Sequence, residues 1–316
     1  MIIKEKSIPK IFLFGACDLH DTLDNDIMNK NFEVVRYAPS GIELDSKELT
    51  FEKSSFPEAG TSIISLYTNP GNIAQRITET LNLKKNRSAN DTLVYKEVAK
   101  FPYLDFYKKY AGPDDFLVIS FSAEIYTKIL SGHECFTCLP LMRKLAHPSS
   151  SLHWLFKEYL LNDKYHLPFD TKESLELSFD LLVDFARDIY EIFQDRVILV
   201  KTHFADFVIG ENYSVTKIIN DPKDLLFYKQ TKIVTDPTDH RYAERLSMII
   251  LNKFRHHYKV DLPVIKLDEY VFLDAHHKWG VSQFHLDRNS RNKICKKIYE
   301  EIVSKIVNKD TTLWQR

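Results

Sequence analysis

The sequence predicts an α/β fold: a doubly wound, mostly parallel sheet of five strands with helices on both faces. Three observations point there. Short apolar runs rich in Val, Ile or Phe recur along the chain. Their lack of strict alternation suits strands covered on both sides. Between them lie longer segments of helical period, so strand and helix alternate as in a sheet built from crossover units.

Ile11–Phe14 is the first expected strand, stopped at Gly15. Phe32–Ala38 is the second, closed by Pro39-Ser40-Gly41. Phe116–Phe121 is the third, introduced by the turn signal Gly112-Pro113-Asp114-Asp115. Arg196–Lys201 is the fourth and Pro263–Leu267 the fifth. Helices are expected over Thr171–Gln194, Thr238–Tyr258 and Asn289–Val307. In the last of these, Ile294, Ile298, Ile302 and Ile306 recur every fourth residue. The stretch Asp236-Pro237-Thr238-Asp239 is a good helix start. Two irregular insertions, at about 41–112 and 132–170, interrupt a single domain spanning 1–316. A further strand at Ile63–Tyr67 falls in the first of them.

Bulk composition narrows the function classes. The chain is 44% hydrophobic, enough for a substantial core, and its formal charge is −1. No net field favours nucleic acid or an anionic membrane surface. Four cysteines are too few for a disulfide scaffold at this length. No run approaches the roughly 18 apolar residues of a membrane span, and the N-terminus lacks the features of a signal peptide. These points lead to the expectation of a reduced, cytoplasmic protein without a membrane span or a nucleic-acid partner. Neither a GxxxxGK[ST] loop nor a GxGxxG turn is present, and eight glycines leave no room for a glycine-rich nucleotide cradle.

Ligands of doubly wound sheets bind outside the carboxyl ends of the strands. The first strand is followed there by Cys17, Asp18, His20 and Asp21. Ser122 and Glu124 follow the third, and Thr202, His203 and Asp206 follow the fourth. After the fifth comes a loop holding Asp274, His276, His277, Trp279 and His285. A thiol in a strand-to-helix turn meets backbone N–H groups that favour the thiolate, the nucleophilic form. The same position suits a small buried residue in a tight turn. A histidine just before the last helix can act as general base to such a thiol, and a carboxylate is needed to orient its ring. Asp274 and His277 form a D-x-x-H pair that also offers metal-ligand chemistry. His133, Cys135 and Cys138 lie in a C-x-x-C segment with no second pair to complete a structural zinc site.

The strand-end motifs together resemble the SGNH/GDSL hydrolase superfamily. They are closest to a bacterial branch found among surface-polysaccharide (capsule) proteins. The resemblance rests on Gly15-Ala16-Cys17-Asp18-Leu19-His20-Asp21 at the first strand. It rests as well on Asp274-Ala275-His276-His277-Lys278-Trp279-Gly280-Val281-Ser282-Gln283-Phe284-His285 before the last helix, with DFLVISFSAEIY and VILVKTHFADFVIG between them. Cys17 stands at the nucleophile position of that superfamily. Ala16 replaces a serine that the branch often carries, and Ser282 stands where an acid usually precedes the histidine.

The resemblance implies a flavodoxin-like, SGNH-like sheet and acyl-ester hydrolysis or O-acyl transfer on a bacterial surface glycan or its precursor. Cys17 would attack, His285 would carry the proton and Asp274 would orient a histidine. Asp18, His20, Asp21, Ser122, Glu124, His203, His277 and Trp279 would line the site. No cofactor is expected beyond an acyl donor such as acetyl-CoA in the transfer case. The expected partner is a carbohydrate or another acylated small molecule. Two other readings stand beside this one. The first is a non-catalytic glycan-binding or assembly protein of polysaccharide biosynthesis on the same fold. The second is a metal-dependent hydrolase using Asp18, His20, Asp274 and His277.

Overall fold

A computed structural model of the chain describes residues 8–15, 17–35, 42–43, 50–51, 63, 75–76, 79–80, 103–122, 128–130, 134–136, 148, 152–155, 157–158, 165–166, 171–203, 205, 207–209, 215–217, 237–274 and 285–313. Five strands form one parallel sheet: β1 (Lys10–Phe14), β2 (Glu33–Val35), β3 (Phe116–Ser120), β4 (Val197–Val200) and β5 (Val264–Ile265). Their spatial order is β2-β1-β3-β4-β5, with every pairing parallel. The chain therefore steps outward from β1 to β2, then crosses back to β3 and continues the other way. A crevice opens at such a reversal, between the carboxyl ends of β1 and β3.

The alternation of side chains across each strand builds two cores. Phe12, Phe14, Leu117, Ile119, Val197 and Leu199 face one layer. That layer holds α3 (Tyr103–Tyr110), α4 (Lys172–Phe193) and α5 (Pro237–Lys253). Phe12 anchors it, its ring meeting those of Phe106, Tyr107 and Phe193 at centroid separations of 5.5 to 5.8 Å. The buried Tyr107 hydroxyl donates to the Leu13 carbonyl at 2.9 Å, which satisfies its one polar atom. Ile11, Leu13, Phe116, Val118, Ile198 and Val200 face the opposite layer. It contains α1 (Cys17–Leu23), α2 (Asp26–Asn31) and α6 (Arg288–Leu313). Leu19 and Leu23, one helical turn apart on α1, bury against the same core as Ile294, Ile298 and Ile302 of α6. Both faces are covered by helices, as the apolar runs imply.

Several boundaries differ from expectation. The fifth strand shrinks to two residues at the sheet edge, and the second is described over Glu33–Val35, with 36–38 outside the described residues. Thr171 is the cap of α4 rather than its first residue. It forms a reciprocal capping box with Ser174. At the other end Gln194 takes φ 54° and ψ −119°, a positive-φ break that stops the helix while its N–H still donates to the Tyr190 carbonyl. The second expected helix ends as α-helix at Lys253 and continues as a π-turn over Phe254–Tyr258, which stacks Tyr258 on Tyr190. The last helix runs to Leu313, beyond the Val307 read from the isoleucine spacing.

The expected insertions also need correction. Residues 103–110 form α3 and belong to the helical layer, because Tyr103, Phe106 and Tyr107 are needed to cover β1 and β3. Ile63 is helical and fully buried in that layer, which rules out a strand starting there; 64–67 lie outside the described residues. Within the second insertion, Glu134–Phe136 and Tyr165–His166 pair antiparallel with Lys128–Leu130.

Candidate active site

Gly15 ends β1 and the chain turns directly into α1. The turn is close: a Cβ at Gly15 would lie 3.1 Å from the Ser120 carbonyl oxygen and 3.2 Å from Leu19. Glycine lets α1 start against the end of β3 with no side chain between. Cys17 is the first residue of α1, at the carboxyl edge of the sheet beside the reversal. The helix has only seven residues, so its dipole is short and activation of a thiol there depends on a neighbouring base. The side chains of Cys17 and Asp18 lie outside the described residues. His20 is buried on the same helix, and its carbonyl accepts the Asp24 N–H at 3.0 Å. Asp21, the next residue, is half-buried.

Asp274 and His285 are brought together by the backbone. A strand at Phe272–Leu273 meets the chain again at an antiparallel bridge between Leu273 and Leu286. The Asp274 N–H donates to the His285 carbonyl at 2.8 Å, and the Asp287 N–H donates to Phe272 at 2.8 Å. Asp274 and His285 therefore occupy opposed positions on one face of this pair. Directly opposed Cβ atoms are about 5 Å apart. Leu273 and Leu286 point the other way and are buried in the α1–α6 core. The core leucines hold the pinch shut, and alternation presents the acid and the imidazole together. His285 is buried, at 4% exposure.

The start of α6 completes this corner. Asp287 caps it, accepting the Ser290 N–H at 2.9 Å. One turn on, the Arg291 guanidinium reaches Asp274 Oδ2, 3.5 Å from Nη2, with both side chains mostly buried. The Arg291 Nε is buried without a hydrogen-bond partner among the described residues. The sequence carries a signal for Arg291: it lies four residues after the cap Asp287, one turn along the same helix face.

The other strand ends contribute unequally. Ser122 is buried just past β3, its hydroxyl 3.4 Å from that of Ser120. His203, past β4, is a structural brace. Its Nε2 accepts the Leu267 N–H at 2.8 Å, which ties the end of β4 to the chain leaving β5. Burial, reinforced by the Lys201 and Lys297 charges, pushes this imidazole down to about 4, against a backbone hydrogen bond to Lys201 that acts the other way. It is neutral near pH 7 and does not act as a base there. Glu124, His277 and Trp279 lie outside the described residues, as do His133 and Cys138; Cys135 has a described backbone but no described side chain.

Among the described residues no three His, Cys, Asp or Glu side chains converge as a metal site. Asp18 and His277, two of the four residues that could serve such a site, have no described side chains. No described helix is long and apolar enough to cross a membrane. No family model, curated protein or solved structure matches the chain.

Proposed function

We propose that this chain is an acyl-transfer enzyme, either an ester hydrolase or an O-acyltransferase. The observation that carries the reading is the cross-strand Asp274–His285 pair, pinned at the start of α6 on the α1 side of the sheet. An acid and an imidazole held in opposed positions can orient a general base, and α1 begins with a cysteine. The β2-β1-β3-β4-β5 order supports a flavodoxin-like sheet of SGNH type, in which a ligand occupies the crevice at the reversal. The choice of an acylated bacterial surface glycan, or its precursor, as substrate rests on the sequence resemblance alone.

In this reading the Cys17 thiol proton passes to the His285 imidazole and sulfur adds to the acyl carbonyl carbon. The ester C–O bond then breaks, and the leaving alcohol takes the proton from the imidazolium. Water in a hydrolase, or an acceptor hydroxyl in a transferase, then adds to the thioester carbonyl as His285 takes its proton; the C–S bond breaks and the imidazolium returns the proton to the Cys17 sulfur. Asp274 orients the ring and stabilises its cation. The test is turnover of 4-nitrophenyl acetate and of an O-acetylated sugar by the parent chain, Cys17→Ala and His285→Ala. Each substitution lowers turnover by roughly a thousandfold or more with the circular dichroism spectrum kept. Full activity in both variants would refute the assignment.

One observation favours a second reading, a non-catalytic glycan-binding or assembly protein. Asp274 already shares Oδ2 with Arg291, and an ion-paired carboxylate is a weaker partner for an imidazolium. Glycan binding by a parent chain inactive on every ester tried would favour it.

A further inference from the structure

We propose that Thr202 is a substrate-binding residue of this site, its hydroxyl reserved for an oxygen atom of the ligand. The inference rests on the crevice reading above and adds a residue to it. Thr202 follows β4 and is 7% exposed, yet its Oγ1 is buried with no hydrogen-bond partner among the described residues. A buried hydroxyl left unpaired is costly, so native structures pair nearly all of them. An exception at a strand's carboxyl end, where doubly wound sheets take their ligands, is explained if a ligand supplies the missing partner.

Register and alternation give the hydroxyl a direction. Ile198 and Val200 face the α1–α6 core, while Val197 and Leu199 face the other layer. The Lys201 ammonium pairs with Glu244 of α5 on that other side, at 2.8 Å. Alternation then returns Thr202 to the α1–α6 side. Ser120 is paired in register with Val200, and that register, continued two residues past β3 and β4, sets Ser122 and Thr202 across from each other. Ser120 and Ser122 hydrogen-bond to each other at 3.4 Å. Thr202 thus extends a hydroxyl row that starts beside Gly15, where α1 begins, and runs toward the helix that carries Arg291. A hydroxyl both donates and accepts, which fits a neutral ligand oxygen such as a carbonyl or a sugar hydroxyl.

The experiment compares the parent full chain with Thr202→Val, which keeps the shape and removes the hydroxyl, and with Thr202→Ser. Without ligand, Thr202→Val melts at or above the parent temperature, because no internal bond is lost. A fall of several degrees would show that the protein itself holds the hydroxyl and would overturn the proposal. With 4-nitrophenyl acetate, Thr202→Val raises KM and loses roughly three- to tenfold in kcat/KM, and Thr202→Ser restores most of it. Unchanged turnover in Thr202→Val overturns the proposal. If the parent does not turn over the ester, the acyl-transfer reading fails separately. Thr202 is then judged by thermal stabilisation with N-acetylglucosamine: a parent stabilised more than Thr202→Val supports the binding role, and no difference between them ends it.

Discussion

His203 shows at the residue scale how position decides chemistry. A histidine following a strand reads as a site residue, but here its Nε2 is spent on the Leu267 N–H. Its folded pKa, lowered to about 4 mainly by burial, lies below the ordinary histidine value of 6.5. The unfolded chain therefore binds the extra proton between these values. Stability from the neutral ring is complete above about pH 6.5 and is lost as pH falls toward 4. The component is about 3 kcal/mol. Urea midpoints measured across that window fall in the parent, and the fall is markedly smaller in His203→Gln. Equal slopes in the two proteins would contradict the brace. Cys295 makes the complementary point: burial on α6 pushes its thiol up to about 11, so it is protonated and inert near neutrality. Neither environment is visible in the sequence, where both residues are only reactive types.

Elements decide how the corner around Asp274 is built. Ser282 stands where the resemblance expects an acid before His285. The Leu273–Leu286 bridge sets a different acid, Asp274, opposite His285. The apolar leucines and the polar pair are legible as alternation; that two segments 11 residues apart close on each other is not, because pairing depends on the core that receives the leucines. Asp287 then starts α6 directly beyond the bridge. Asp287→Ala is expected to cost about 1 kcal/mol through the lost cap. It also loosens the start of α6 next to His285, so ester turnover falls by more than the loss of stability explains. Guanidinium unfolding and turnover, measured together, check this; lost stability with unchanged turnover would separate the cap from the site.

For the molecule as a whole, two helical layers share one sheet and neither covers it alone. Phe193 seals one face against Phe12, and Ile298 is fully buried on the other. Phe193→Ala is expected to cost about 3–5 kcal/mol and Ile298→Ala about 2–5 kcal/mol. Each should shift a single urea transition, because removing either layer exposes the same strands. A transition that splits in either variant would show that the layers unfold independently. The four strand ends that the sequence marks as rich in polar groups do lie along one edge of the parallel sheet. They contribute differently: β1 brings Cys17, β3 and β4 bring hydroxyls, and the chain beyond β5 brings the acid and the imidazole.

By itself the sequence determined the sheet and most of its cover. Five apolar runs became five parallel strands, and three helical periods became α4, α5 and α6, because short-range pattern reflects which faces must leave water. It also singled out Cys17, Asp274 and His285, from their places at the strand ends and then from a resemblance. Only the tertiary structure decided that α3 belongs to the core and that His203 is spent as a brace. It alone opposed Asp274 to His285, set Arg291 on the acid and left the Thr202 hydroxyl without a partner among the described residues. Those outcomes depend on which distant groups share a buried surface, and periodicity along a chain carries no record of that.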